Sequence, residues 1–149
     1  MEIVIDTSVL VGMLVPNDHW HQQAVELGKA IQKQAHSPVY LDCVVAEALS
    51  VIVRRLEEKG LSAEIDSVLK KWNAQIPSDA ISWVFPDVPR LYAETVGLVQ
   101  SSAGALNFND ALISLACRER GIESIASFDH DFDQIDWLER LSVPEDITP

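Results

Sequence analysis

The chain has 149 residues, 48% of them hydrophobic, and a formal net charge of −12 at pH 7. That is enough apolar material for one core but not comfortably for two, so a single domain over residues 1–149 is expected. No uninterrupted apolar stretch is long enough to span a bilayer, which points to a soluble, cytoplasmic protein with no membrane partner. The charge argues against a plain polyanion-binding surface, unless several acids gather round divalent cations and the local field inverts.

In chain order, Ile3, Val4 and Ile5 form a β-branched run expected to be a strand buried on both faces, as in a parallel sheet. Asp6 follows at its carboxyl end, the edge where open α/β sheets bind ligands. Thr7 and Ser8 bring hydroxyls that can cap a helix or hold that carboxylate. Asp6 ending a strand and capping a helix accounts for this stretch equally well. A first helix begins soon after Ser8 and breaks near Pro16-Asn17-Asp18. A second runs from Asp18 to Gln34, with Trp20, Ala24, Leu27, Ile31 and Ala35 as its core-facing stripe. His19 and His21 are two apart, too divergent on a helix to share one ion, although His21 can cap or orient a group near the carboxyl edge.

Val39, Tyr40 and Leu41 predict a second strand, and Asp42 an N-cap for a helix through Leu56 that ends before Gly60. Glu47 interrupts that apolar helix. A glutamate there is costly unless exposed, bound to a cation, or compensated by a partner such as Arg54 or Arg55. Ser62 to Gln75 predicts a further helix, with Ser62 as its N-terminal cap and Asp66 in an acidic first turn. Ile81 to Phe85 predicts a third strand, and Val88 to Ser101 a helix with Leu91, Tyr92, Thr95, Leu98 and Val99 on one side. Trp72 and Trp83 are assigned to packing, though an exposed Trp can stack a base. Asn107 or Asn109 can cap the next helix, with Asp110 in its first turn and Gly121 at its end. Ile122 to Ser127 is a fourth strand, followed at once by Phe128-Asp129-His130-Asp131-Phe132-Asp133. Three acids at alternate positions beyond a strand end are not explained by solubility alone.

Cys43 and Cys117 lie far apart in apolar surroundings and are expected to be buried free thiols. The basic pairs Arg54-Arg55, Lys70-Lys71 and Arg118-Arg120 are solvated helix faces or a small phosphate-facing patch.

Strand and helix alternate throughout, which predicts an α/β protein of three α/β/α layers with a mainly parallel central sheet. In that architecture Asp6 and Asp129 lie at strand ends, and Glu47 and Asp110 lie in early turns of helices leaving the same edge. Four converging carboxylates need a hard cation with oxygen ligands, Mg²⁺ or Mn²⁺. The chemistry such a site serves best is phosphodiester hydrolysis, with one ion to activate water and another to steady the leaving oxygen.

With these residues in view the chain resembles the PIN-domain ribonucleases, especially the VapC-type toxins of toxin–antitoxin systems. The resemblance rests on Asp6-Thr7-Ser8-Val9, Ala46-Glu47, Phe108-Asn109-Asp110-Ala111-Leu112-Ile113 and Ser127-Phe128-Asp129 with Asp131-Phe132 close behind, in that order. It implies a metal-dependent endoribonuclease in which Asp6, Glu47, Asp110 and Asp129 form the metal-binding quartet. Ser8 would support it, with Thr7 beside it and Asp131 in an outer shell or on the surface. It also implies an RNA substrate, a homodimer, and a small antitoxin whose peptide covers the acidic site. Two other readings are a non-catalytic PIN-fold module that binds RNA or protein, and a haloacid-dehalogenase-type hydrolase with Asp6 as nucleophile. The second Asp of such phosphatases is here Ser8, which ranks that hydrolase last.

Overall fold

The computed structural model describes residues 1–149. Five strands form one sheet: β1 (Glu2–Ile5), β2 (Ser37–Leu41), β3 (Ile81–Ser82), β4 (Ser124–Ala126) and β5 (Glu139–Leu141). Their spatial order is β3-β2-β1-β4-β5, and every neighbouring pair is parallel. Six α-helices fill the connections: α1 (Thr7–Leu14), α2 (His21–Lys33), α3 (Asp42–Glu58), α4 (Ile65–Gln75), α5 (Val88–Ser101) and α6 (Phe108–Arg120). Parallel neighbours require crossovers; the α-helices supply those between β1 and β4, and a 3₁₀ turn over His130–Gln134 lies in the one between β4 and β5. This is the α/β architecture with a parallel sheet that the sequence predicts.

The order has one consequence for function. The chain winds outward from β1 through β2 to β3, then returns to the other side of β1 for β4 and β5. The reversal lies between β1 and β4, whose registers pair Val4 with Ile125 and Ile5 with Ala126. At such a switch point the connections leave in opposite directions and open a crevice beyond the strands' carboxyl ends. Asp6 is the first residue past β1, and its N–H still donates to the Ala126 carbonyl at 3.0 Å.

Ile3, Val4, Ile125 and Ala126 are fully buried, as a two-sided central strand pair requires. They join an apolar cluster that reaches from Ile3 to Ile147 and includes both free cysteines, Cys43 and Cys117. No helix is long and apolar enough to cross a membrane.

Several expected elements change. The helix expected from Asp18 begins at His21, which leaves Trp20 at its N-cap and 38% exposed. Ala35 lies beyond its end with φ of 56°. Three- and four-residue spacing holds for Ala24, Leu27 and Ile31 and fails at both ends of the stripe. Asp42 is the first residue of α3, and Leu41 occupies the cap position. The Asp42 carboxylate is buried and accepts from the N–H groups of Cys43 (2.9 Å), Val84 (2.8 Å) and Phe85 (2.9 Å). It therefore ties the end of β2 to the segment after β3. That segment turns early, with strand geometry only at Ile81–Ser82 and a 3₁₀ turn over Phe85–Asp87, so Trp83 is 59% exposed rather than packed. Tyr92 likewise faces outward from α5, while Leu91 and Thr95 face the core. Ser62 opens a 3₁₀ turn that leads into α4 and makes no capping bond. Strand β5 has no counterpart in the sequence reading.

Candidate active site

Each acid reaches the crevice for a local reason. Asp6 ends β1 and caps α1, its Oδ2 accepting from the Ser8 N–H at 3.3 Å, so the capping role and the place at the ligand edge coincide. Asp110 is the third residue of α6 and forms a capping box with Asn107. The Asn107 side chain accepts from the N–H groups of Asn109 (2.7 Å) and Asp110 (3.0 Å), and Asp110 Oδ2 accepts from the Asn107 N–H (3.0 Å). Asp129 follows β4 and accepts the N–H of Asp131 at 2.9 Å, starting a 3₁₀ turn. Glu47 stands on the second turn of α3.

Asp6, Thr7, Ser8, Glu47, Asp110 and Asp129 all line a single cleft of about 250 Å³. Asp131 does not line it; that residue's backbone orients Asp129. Glu47 takes neither Arg54 nor Arg55 as its partner. Its Oε2 accepts from Thr7 Oγ1 at 2.9 Å and from Asn109 Nδ2 at 2.6 Å, while Arg54 pairs with Glu58 and Arg55 with Asp18. His21 also lies apart from the acids, its Nδ1 2.8 Å from the Gly12 carbonyl, where it joins α2 to α1.

Ser127, to which the sequence reading gave no role, is the main addition. Its hydroxyl is fully buried, donates to Asp6 Oδ2 at 2.7 Å and accepts the Asp129 N–H at 3.0 Å. Ser8 Oγ mirrors it, donating to Asp6 Oδ2 at 2.7 Å and accepting the Phe128 N–H at 3.1 Å. Two hydroxyls thus lock the β1 carboxylate to the backbone that presents Asp129. The signal available was a repeated pattern: a hydroxyl residue two positions from an aspartate at each of two strand ends.

The hydrogen bonds use one oxygen of each carboxylate: Asp6 Oδ2, Glu47 Oε2, Asp110 Oδ2 and Asp129 Oδ1. No buried side-chain polar atom lacks a partner, so the unbonded oxygens of the nearly buried Asp6 and Asp110 open to the cleft. Burial raises the Asp6 carboxyl above the usual range, against the opposing pull of Ser8 and Ser127. Asp110 is pushed up to about 7, first by burial and then by the negative charges of Asp6, Asp129 and Glu47. The acids repel one another through the cleft, and no three of them close into a ready-made metal cluster. Four unbonded oxygens around such a repulsive space fit a hard divalent cation, which would neutralise them as they draw in.

A parallel α/β sheet with an acidic cleft at its switch point defines the class. The sequence model of the PIN domain matches residues 3–138, and the chain belongs to that family. Among solved structures it is similar to that of Mycobacterium tuberculosis VapC20, described as a Sarcin-Ricin loop cleaving toxin. The two are 21% identical with a TM-score of 0.65, over 92% of this chain and 97% of the other. At that identity the likeness is one of fold. No curated protein sequence matches the chain.

Proposed function

We propose that the protein is a metal-dependent endoribonuclease that uses Asp6, Glu47, Asp110 and Asp129 to hold Mg²⁺ or Mn²⁺. The observation that carries this reading is the set of four carboxylates, each with one oxygen anchored and one open, on a single cleft at the switch point of a PIN fold. The bound cation would supply a polarised water and charge stabilisation for the scissile phosphate. The chain's own residues do the rest. Ser8 and Ser127 donate to Asp6 and so favour its ionised form against burial, Thr7 and Asn109 both donate to Glu47 Oε2, and Asn107 orients Asp110 through the capping box.

The biological role we assign is the toxin half of a toxin–antitoxin pair, supported by the fold likeness to VapC20. The partners in this reading are the RNA substrate, a second copy of the chain, and a small antitoxin with a cationic side chain for the acidic cleft. A net charge of −12 favours such a partner by long-range attraction. A binding-only PIN module is the second reading, favoured by the acids standing apart without a closed cluster.

The test is incubation of the purified chain with a mixed pool of structured and single-stranded RNA in Mg²⁺, Mn²⁺ or EDTA. Cleavage in the metal arms that EDTA abolishes is the expected result. Intact RNA in every arm, with folded protein free of co-purified inhibitor, supports the binding module instead.

A further inference from the structure

The same cleft extends beyond Asp6, Glu47, Asp110 and Asp129 to a part where the only carboxylate, that of Asp18, is already paired with Arg55. Trp20 lines it and keeps 38% of its surface exposed. The indole stacks on Phe128 with ring centroids 4.7 Å apart and planes 20° from parallel, while the His19 ring meets it at 4.7 Å with planes 73° apart and leaves part of it open. Phe128 is nearly buried and immediately precedes Asp129, so the platform under the indole is the strand end that presents an acid of the site. The Trp20 backbone is also held: its main-chain N–H donates to Asp18 Oδ1 at 2.9 Å, and Asp18 Oδ2 pairs with Arg55 on α3.

The cations follow from helix spacing. Glu47, Val51, Arg54 and Arg55 fall at i, i+4, i+7 and i+8 on one face of α3, and all four line the cleft. An acidic end at Glu47 therefore passes into a basic end beside the indole. Of the three basic pairs in the sequence, this one alone borders the acids. Lys70 pairs with Asp66, Arg118 with Glu94, and Arg120 with Asp87, all away from the cleft. Arg54 is 66% exposed and meets Glu58 only at 4.0 Å, which leaves its guanidinium available.

We infer that Trp20 and Arg54 form a nucleotide subsite beside the acidic cleft, in which the indole stacks an unpaired base and Arg54 takes that nucleotide's phosphate. The inference rests on the nuclease reading for the scissile phosphate and adds two residues outside the carboxylate set, Trp20 and Arg54, that hold an unpaired nucleotide next to it. Inside a duplex each base face is already stacked, and the indole would find none free. Stacking on one aromatic face tolerates any base, so this subsite sets conformation rather than sequence.

The test is binding of a labelled single-stranded oligoribonucleotide to the full chain in Mg²⁺, in an Asp110→Asn background meant to keep the strand intact, with a fully abasic strand of equal length alongside. Trp20→Leu preserves an apolar cover over Phe128, and Trp20→Phe preserves an aromatic face. Stacking predicts that Trp20→Leu weakens binding of the base-bearing strand roughly tenfold, that Trp20→Phe keeps most of the affinity, and that neither affects the abasic strand. Arg54→Gln should weaken both strands and flatten the salt dependence. No binding by the parent, binding indifferent to Trp20→Leu, or equal losses on the two strands would overturn the subsite. The nuclease reading is judged separately, by metal-dependent cleavage in the unsubstituted chain, so either reading can fail while the other stands.

Discussion

The Ser127 hydroxyl donates to Asp6 Oδ2 at 2.7 Å across 121 residues of sequence, and accepts the Asp129 N–H at 3.0 Å. One buried hydroxyl thereby sets the spacing of two acids that arrive on different strands. Ser127→Ala removes a donor from Asp6 and an acceptor from the Asp129 backbone in one step. The expected loss is about 1–3 kcal/mol, the usual cost of stranding a buried polar group, read as a lower midpoint in urea unfolding. Cleavage should fall with it, because Asp6 loses a bond that favours its ionised form.

Asp110 gives a pH dependence with a definite sign. Its carboxyl is raised from 3.8 to about 7 in the folded chain. The folded state therefore binds the proton more tightly than the unfolded one, and the metal-free protein loses stability as pH rises through that window. Asp110→Asn removes the contribution. The difference in stability between wild type and Asp110→Asn in EDTA should shift in favour of the variant as pH rises from about 4 to about 7, and then level off. A difference that is flat across the window contradicts a raised Asp110 carboxyl, whose first cause is burial, with the charges of Asp6, Asp129 and Glu47 adding to it. Mg²⁺ should raise the wild-type melting temperature more above the window than below it.

Asp42 separates structure from chemistry. Its buried carboxylate serves three backbone N–H groups and lines no part of the acidic cleft. Asp42→Ala should cost about 1–3 kcal/mol in unfolding experiments, while Asp42→Asn, which keeps one acceptor oxygen, costs less. Metal affinity per folded molecule should not change in either variant.

Helices α1 and α2 approach closely at Gly12, where an added Cβ would lie 2.8 Å from Ala24 Cβ and 3.4 Å from the Trp20 carbonyl oxygen. Gly12→Ala should force α1 and α2 apart at a cost of about 1–3 kcal/mol, as overpacking does. Because the Trp20 backbone is part of that contact, intrinsic tryptophan fluorescence should report the change.

What the sequence made legible follows from how local each cause is. Asp6 and Asp110 were placed by short-range patterns: a β-branched run before one, an Asn cap and helical first turn around the other. Their convergence followed once the sheet was taken as parallel. Trp20 and Ala35 fall outside α2 because periodicity does not mark where a helix begins or ends, and the role of Asp42 is not local, since its three partners include Val84 and Phe85, more than forty residues away. Strand β5 is only Glu139–Leu141, held by pairing with β4, and Glu139 and Arg140 carry no apolar signal. Glu47 was a suspect on grounds of cost, but its anchors, Thr7 and Asn109, come from two other helices. Such contacts become visible only when the chain is folded.

The most direct measurement of the central claim is Mn²⁺ binding, followed by the loss of the free-ion paramagnetic resonance signal, for wild type and Asp110→Asn at a pH above 7. The account predicts that wild type takes up Mn²⁺ and that Asp110→Asn, folded and of equal or greater metal-free stability, binds it far more weakly. Equal uptake by both proteins, or none by the wild type, would contradict the assignment of the four carboxylates as a cation site.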